Sequence, residues 1–210
     1  MKVAILGGTG SFGRGVAVRL AAAGVDDVVI GSRDAERAQA IAAEIGGRVS
    51  GATNDDAVRG ADIAVLAVKA DAALDTARDI AGALGVVPLF SVASALSFSK
   101  DGVRSDPDAR AIAERIQDLV QAPVVAGLHT IAAANLEEAA PQEDALICGD
   151  DLEAKTLAIE ISSRIVAGAA LDAGPLASAR ALEGLTAVIV NVNKRYKAHA
   201  GVRITGVHHE

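Results

Sequence analysis

Aromatic residues are nearly absent from this chain of 210 residues, which has three Phe, one Tyr and no Trp. Its core must therefore come from the Ala, Val, Ile and Leu that dominate a 51% hydrophobic content. No platform for stacking nucleobases is present, and 27 Asp and Glu outnumber 20 Lys and Arg. The net charge of -7 argues against the basic stripe that nucleic-acid binding requires. A single cysteine, Cys148, excludes an intrachain disulfide and a cysteine metal cluster. No apolar run reaches the about 18 residues of a membrane span, and the first residues read as a strand rather than a signal peptide. The expectation is a soluble, cytoplasmic protein with no nucleic-acid or membrane partner and no metal. The length suffices for a main domain plus a small lobe.

Glycine is plentiful, and its placement is informative. Residues 2–6 have strand composition and run straight into Gly7-Gly-Thr-Gly-Ser-Phe-Gly13. Gly8, Gly10 and Gly13 fit the G-x-G-x-x-G template of a dinucleotide site, with Thr9, Ser11 and Phe12 in the same turn and helix start. Without side chains, the backbone can press its N–H groups against a pyrophosphate, and the following helix dipole favours the negative charge. Phe12, Val16 and Leu20 recur at helical spacing, Gly24 suits a left-handed cap, and residues 28–30 form the next strand. The unit closes as β-α-β in about thirty residues.

The end of that second strand selects the cofactor. A site for plain NAD carries an acidic residue there, for the ribose 2′-hydroxyl. This chain has Gly31-Ser-Arg33, with Arg37 one helical turn on, and Asp34 reads as a helix N-cap. A hydroxyl and guanidinium groups suit the 2′-phosphate of NADP, although solvated surface charge is the plainer reading of Arg33 and Arg37.

Strands and helices then alternate: residues 62–68 as a buried strand, 71–84 as a helix and 86–92 as a strand. In open α/β sheets ligands bind at the carboxyl ends of strands, so Val68, Lys69, Pro88, Ser91 and Val92 are candidates for the nicotinamide end. Residues 97–105 read as a polar, mobile loop. Asp106-Pro107 reads as a helix start, with the helix running to about Gln121, and residues 123–129 as another buried strand. A short strand follows at 146–149, then a helix at 152–166 capped by Asp150-Asp151, and a strand and turn at 170–175. One long helix is expected from Leu176 to about His199. Its middle, residues 185–190, is apolar nearly all round and so must be buried, under the sheet or against a second subunit. The fold class is α/β, a Rossmann-type doubly wound, mostly parallel sheet with a small C-terminal α/β lobe ending in a long helix. The expected domains are 1–130 for NADP and 131–210 for the lobe, with a homodimer preferred.

Several blocks together resemble the NADPH-dependent coenzyme F420 reductases (F420:NADP oxidoreductases). They are Ala4-Ile-Leu-Gly-Gly-Thr-Gly10, Ile30-Gly-Ser-Arg33, Gly127-Leu-His-Thr-Ile131, Cys148-Gly-Asp-Asp151, Asp172-Ala-Gly-Pro-Leu176 and Leu185-Thr186. The likeness spans essentially the whole chain in order. It implies reversible hydride transfer between NADP(H) and the deazaflavin F420, held in a cleft completed by the C-terminal lobe of a dimer. It also adds Ile131 and Thr186, beside Thr130, as residues shaping the deazaflavin site. Ala132 stands where the family pattern leads one to expect proline.

Hydride transfer between two stacked rings depends on positioning and demands no strong acid or base, so no catalytic side chain is assigned. Tyr196-Lys197 lacks the Tyr-x-x-x-Lys spacing of short-chain dehydrogenases, and neither a G-x-S-x-G elbow nor an H-E-x-x-H helix occurs. His129, at the end of a buried strand, is read equally as a cofactor contact or as core and supporting hydrogen bonding. His208-His209-Glu210 reads as a frayed terminus. Lys194, Arg195 and Lys197, at the end of the long helix, can receive the anionic tail of F420 or form a solvated helix end. The alternatives are an NADP-dependent reductase of a small imine or keto acid, and a non-catalytic nucleotide sensor. The direction of hydride flow is not readable from the residues.

Overall fold

The computed structural model describes residues 1–105 and 110–207. Strand β1 (Lys2–Leu6) leads through the glycine turn into α1 (Ser11–Ala22), followed by β2 (Asp27–Ser32) and α2 (Ala35–Ile45). Next come β3 (Val49–Thr53), α3 (Asn54–Val58), β4 (Ile63–Leu66), α4 (Ala70–Leu84) and β5 (Leu89–Ser91). A hairpin of β6 (Leu96–Ser99) and β7 (Gly102–Ser105) precedes α5 (Ile112–Gln117) and β8 (Val124–Gly127). The chain ends with α6 (Ala133–Glu138), β9 (Ala145–Gly149), α7 (Leu152–Ile165), β10 (Ala170–Asp172) and α8 (Ala179–Tyr196).

Eight strands form one sheet in the order β10-β9-β8-β5-β4-β1-β2-β3. From β3 to β8 every pairing is parallel, giving the doubly wound order in which the chain reverses direction between β1 and β4. Only β9 runs antiparallel to its neighbour β8, and β10 then follows β9 in parallel. The strands of the C-terminal segment thus extend the same sheet. Alternation in β1 assigns its side chains to two layers: Val3 and Ile5 to one, Ala4 and Leu6 to the other. Val16, Leu20, Phe90 and Ile161 fill the first layer; Leu66, Ile80, Leu89 and Ile116 fill the second.

Local signals behave as expected at the caps. Asp34 Oδ1 accepts the Arg37 N–H at 3.1 Å, and Asp151 Oδ1 accepts that of Ala154 at 2.8 Å. Three expectations require correction. Residues 97–105 are not a loop but the β6–β7 hairpin, fastened by Asn191 of α8, whose amide donates to the Val103 carbonyl at 2.7 Å and accepts its N–H at 2.8 Å. Helix α5 is short: Glu114 accepts the Ala111 N–H at its start. At its end Gln117 turns the chain by accepting the Val124 N–H and donating to the Ala122 carbonyl. The expected Asp106-Pro107 helix start lies outside the described residues, as does His208-His209-Glu210. The last helix begins with a separate 3-10 turn (Leu176–Ser178) and stops at Lys197, whose φ is 52°. Nor does the sheet alone cover its middle: within one chain Val188 is 57% exposed, while Ala187 and Ile189 are buried. Strand β3 and helices α3 and α6 are additional to the expected elements.

Among the described residues no helix is long and apolar enough to cross a membrane. Cys148 is fully buried on β9, where burial pushes its thiol up to about 12, so it stays protonated and unreactive.

Candidate functional site

The carboxyl ends of β1 and β4 part at the reversal of strand order, and the glycine turn occupies that crevice. Gly7 turns the chain at φ 76°, with its N–H bonded to the Gly31 carbonyl of β2. A Cβ on Gly13 would stand 2.8 Å from both the Gly7 carbonyl oxygen and Gly8 Cα, so α1 approaches the turn backbone to backbone. At Gly10 a Cβ would meet nothing nearer than Gly7 O at 3.4 Å. The protein's own packing therefore does not demand glycine at Gly10, and its bare Cα leaves the turn open to close approach of a ligand to the backbone. The first intrahelical bond of α1 runs from Arg14 N to Gly10 O. The N–H groups of Ser11, Phe12 and Gly13 precede it, at the positive end of the helix. Gly8, Thr9, Gly10, Ser11, Phe12 and Gly13 are thus contiguous on one binding turn.

Ser32 ends β2 beside this turn. Its Oγ accepts the Asp34 N–H at 3.1 Å, which leaves the hydroxyl proton available to a ligand. Arg33 and Arg37 are exposed, and neither forms an ion pair among the described residues. The Asp34 carboxylate is occupied as the α2 cap. The donor set is a hydroxyl and two guanidinium groups, with the neighbouring carboxylate committed elsewhere. It suits the dianionic 2′-phosphate of NADP better than a bare 2′-hydroxyl, for which a carboxylate acceptor at the strand end is the favourable partner.

A cleft of about 490 Å³ adjoins the turn. Phe12, Val68, Lys69, Val92, His129, Ile131 and Thr186 line it. Three expected residues do not: Thr130 is buried and its Oγ1 donates to the Asp144 carbonyl at 2.7 Å, and two residues at β5 also lie off the cleft. Pro88 precedes β5 at its amino end, away from the ligand side of the sheet, and Ser91 is fully buried. Alternation along β5 turns the Ser91 side chain to the core face with Leu89, where its hydroxyl finds no partner among the described residues. Ser94, Leu96, Phe98 and Leu128 line the cleft without having been singled out. The visible signal for the first three was their position just past the carboxyl end of a parallel strand.

Leu128 follows β8 at φ 61°, a left-handed backbone that costs an L residue about 1 kcal/mol. Beyond this turn, His129 is buried yet borders the cleft. Its Nε2 lies 3.3 Å from the Ala93 carbonyl, an acceptor, so Nε2 carries the proton. Nδ1 is then an acceptor, buried and without a partner among the described residues. Burial pushes the imidazole down to about 4, so it is neutral at pH 7 and supplies no acid. Thr186 Oγ1 donates to the His129 carbonyl at 3.1 Å and lies 3.0 Å from Ser94 Oγ. A largely apolar slot bordered by a neutral imidazole and a fixed hydroxyl fits a flat, partly polar ring system such as a deazaflavin. No group of three metal-ligating side chains is found among the described residues.

Comparison with known proteins agrees with this geometry. Residues 2–94 match the family model described as NADP oxidoreductase coenzyme F420-dependent. The F420-dependent NADP reductase of Methanothermobacter thermautotrophicus is 36% identical, over 99% of this chain and 96% of that protein. A solved structure from Arthrobacter sp. FB24, provisionally called an F420-dependent NADP reductase, superposes with a TM-score of 0.82 at 26% identity, covering 98% of this chain and 99% of that one. A Streptomyces aurantiacus imine reductase shares the fold alone, with a TM-score of 0.63 at 18% identity over 94% of this chain and 62% of its own.

Proposed function

The chain belongs to the F420-dependent NADP reductase family, and on that premise we propose that it catalyses reversible hydride transfer between NADP(H) and the deazaflavin coenzyme F420. The two cofactors supply the redox chemistry: NADPH gives a hydride to the deazaflavin, which takes one proton from water, and the reverse step releases it. The protein's part is to hold two rings face to face and keep bulk water away. The observation that carries this reading is the continuity of the site. Phe12 belongs both to the nucleotide turn and to the cleft wall, so the donors for an NADP phosphate end and the slot lined by His129, Ile131 and Thr186 form one surface. Residues 1–130 hold the nucleotide, and residues 131–210 complete the F420 side. The site works in the cytoplasm on small molecules.

Mixing the protein with NADPH and oxidised F420, and following loss of the deazaflavin's visible absorbance, tests the assignment. Turnover supports it. NADPH oxidation with a cyclic imine or keto acid, but not with F420, overturns it in favour of that alternative. Binding of NADPH without any turnover points to a sensor.

A second copy of the chain completes the assembly in this reading. Val188, Val192 and Tyr196 follow one another at four-residue spacing on α8, and Phe98 of the hairpin is 65% exposed. In wild-type protein, sedimentation is expected to give twice the chain mass. Val188→Asp should shift it toward the monomer; a monomeric wild type would remove this part of the proposal.

Lys194 Nζ lies 4.8 Å from the Phe98 ring centre, and Phe98 lines the cleft. Lys194 thus stands beside the cleft wall, Arg195 and Lys197 follow it at the exposed end of α8, and none of the three is ion-paired among the described residues. The double variant Lys194→Glu/Arg195→Glu is expected to raise KM for long-tailed F420 about tenfold while leaving KM for NADPH unchanged. Equal KM values for long-tailed and tailless cofactor in wild type would refute a role in tail binding.

A further inference from the structure

The turn at residues 128–131 brings His129 and Ile131 to the cleft and keeps Leu128 in the left-handed region at φ 61°. A leucine stays in that conformation only where its surroundings over-determine the backbone. On the cleft side, His129 Nε2 meets the Ala93 carbonyl and Thr186 Oγ1 donates to the His129 carbonyl. Within the turn, the Ile131 N–H bonds to the Leu128 carbonyl at 3.1 Å. The far side is held by residues 198–204, which follow α8 without helix or strand.

Two asparagines fold this segment back. Asn193 Oδ1 accepts the Ala200 N–H at 2.7 Å, and Asn135 Nδ2 donates to the His199 carbonyl at 2.9 Å. Asp144, only 3% exposed just before β9, then grips the segment twice. Its N–H donates to the Val202 carbonyl at 2.8 Å, and its Oδ2 accepts the Ile204 N–H at 2.6 Å. Its Oδ1 accepts the Ala169 N–H at 2.8 Å, which ties the carboxylate to the start of β10. The Asp144 carbonyl accepts the Thr130 hydroxyl at 2.7 Å, so one residue joins the segment to the turn. Gly201 makes a second joint. A Cβ there would stand 2.5 Å from the Thr130 carbonyl oxygen and collide with Glu143 Cγ, so the bare Cα presses directly on the turn. Its φ lies outside the left-handed region; closeness, not conformation, calls for glycine.

We propose that Asp144 and Gly201 are positioning residues for the hydride-transfer site: through them segment 198–204 clasps the 128–131 turn from behind and fixes how His129 and Ile131 face the bound ring system. The kinetic consequence rests on the F420 reading; the clasp itself does not. Neither residue lines the cleft, so a change at either is felt there through Thr130. A segment needed only to finish the fold could dock anywhere along the sheet. Here both joints converge on the one residue that separates two cleft-lining side chains. The nucleotide, by contrast, is held by the glycine turn and by Ser32 and Arg33, none of which bonds to the segment.

The test compares wild type with Gly201→Ala and Asp144→Asn. In Gly201→Ala the added methyl must push the segment or the Thr130 carbonyl aside. In Asp144→Asn one of the Ala169 and Ile204 N–H groups faces an amide NH2 instead of an oxygen. Without any cofactor, exchange of the Ile131 amide, taken relative to that of Ile5 in β1, should be about fivefold faster in each variant, the size of one weakened buried hydrogen bond. KM for F420 should rise about fivefold as well, while KM for NADPH stays within about twofold. A purely structural role would lower the melting temperature and leave both the Ile131 exchange ratio and the ratio of the two KM values as in wild type; that result would overturn the proposal. Either variant alone decides the matter should the other fail to fold. If wild type does not turn over F420, the functional reading fails, while the exchange comparison still decides whether the clasp holds the turn.

Discussion

In the double variant Ser32→Asp/Arg33→Ser, kcat/KM for NADPH should fall about 100-fold or more, while that for NADH falls little or rises. The expectation follows from charge. A 2′-phosphate dianion loses one charge-assisted contact to a guanidinium and one to a hydroxyl, each worth about 1.5–3 kcal/mol, and gains a repelling carboxylate. The same carboxylate offers the 2′-hydroxyl of NADH the acceptor that the wild-type strand end lacks. Steady-state kinetics with both nucleotides decide the matter. An unchanged preference would mean that the phosphate is bound elsewhere. Arg37→Ala alone should have a smaller effect, since Arg37 lies one turn into α2, with its backbone N–H already bound to Asp34.

The other large effect concerns the core. Phe90 is fully buried in β5, where it is the largest completely enclosed side chain in a protein poor in rings. Phe90→Ala is expected to destabilise the fold by about 3–5 kcal/mol, through lost transfer energy and a cavity that small aliphatic neighbours cannot close. For a chain of this size the melting temperature should fall by about 10 °C. Phe90→Leu should lose much less. Thermal and urea unfolding of both variants give the comparison; a cost below about 1 kcal/mol for Phe90→Ala would show that the layers around it collapse freely.

How far the residues alone reach depends on the range of the interactions. The β1–turn–α1 unit and the caps at Asp34 and Asp151 are legible because each partner lies within a few residues. The nucleotide end of the site rests on the same short-range grammar. The cleft is less legible. Treating residues 86–92 as one strand placed Pro88 and Ser91 with Val92, but ligand access depends on which end of a strand and which face of the sheet a residue occupies. The hairpin at 97–105 looked like a loop because its fastening partner, Asn191, lies 88 residues from Val103. Glu183 looked like an ordinary helix charge because the N–H it accepts comes from Ile112, 71 residues earlier. Such partners are set by tertiary packing, and no periodicity announces them.

The amide of Asn191 has a protective consequence. A two-stranded ribbon standing away from the main sheet presents an open row of donors and acceptors that invites another chain to add itself. By pairing with both backbone groups of Val103, one side chain occupies a rung of that row, in place of a neighbouring strand. Helix α8 thereby shields the ribbon from edge-to-edge stacking between molecules, and the helix that carries Thr186 also helps keep the protein dispersed.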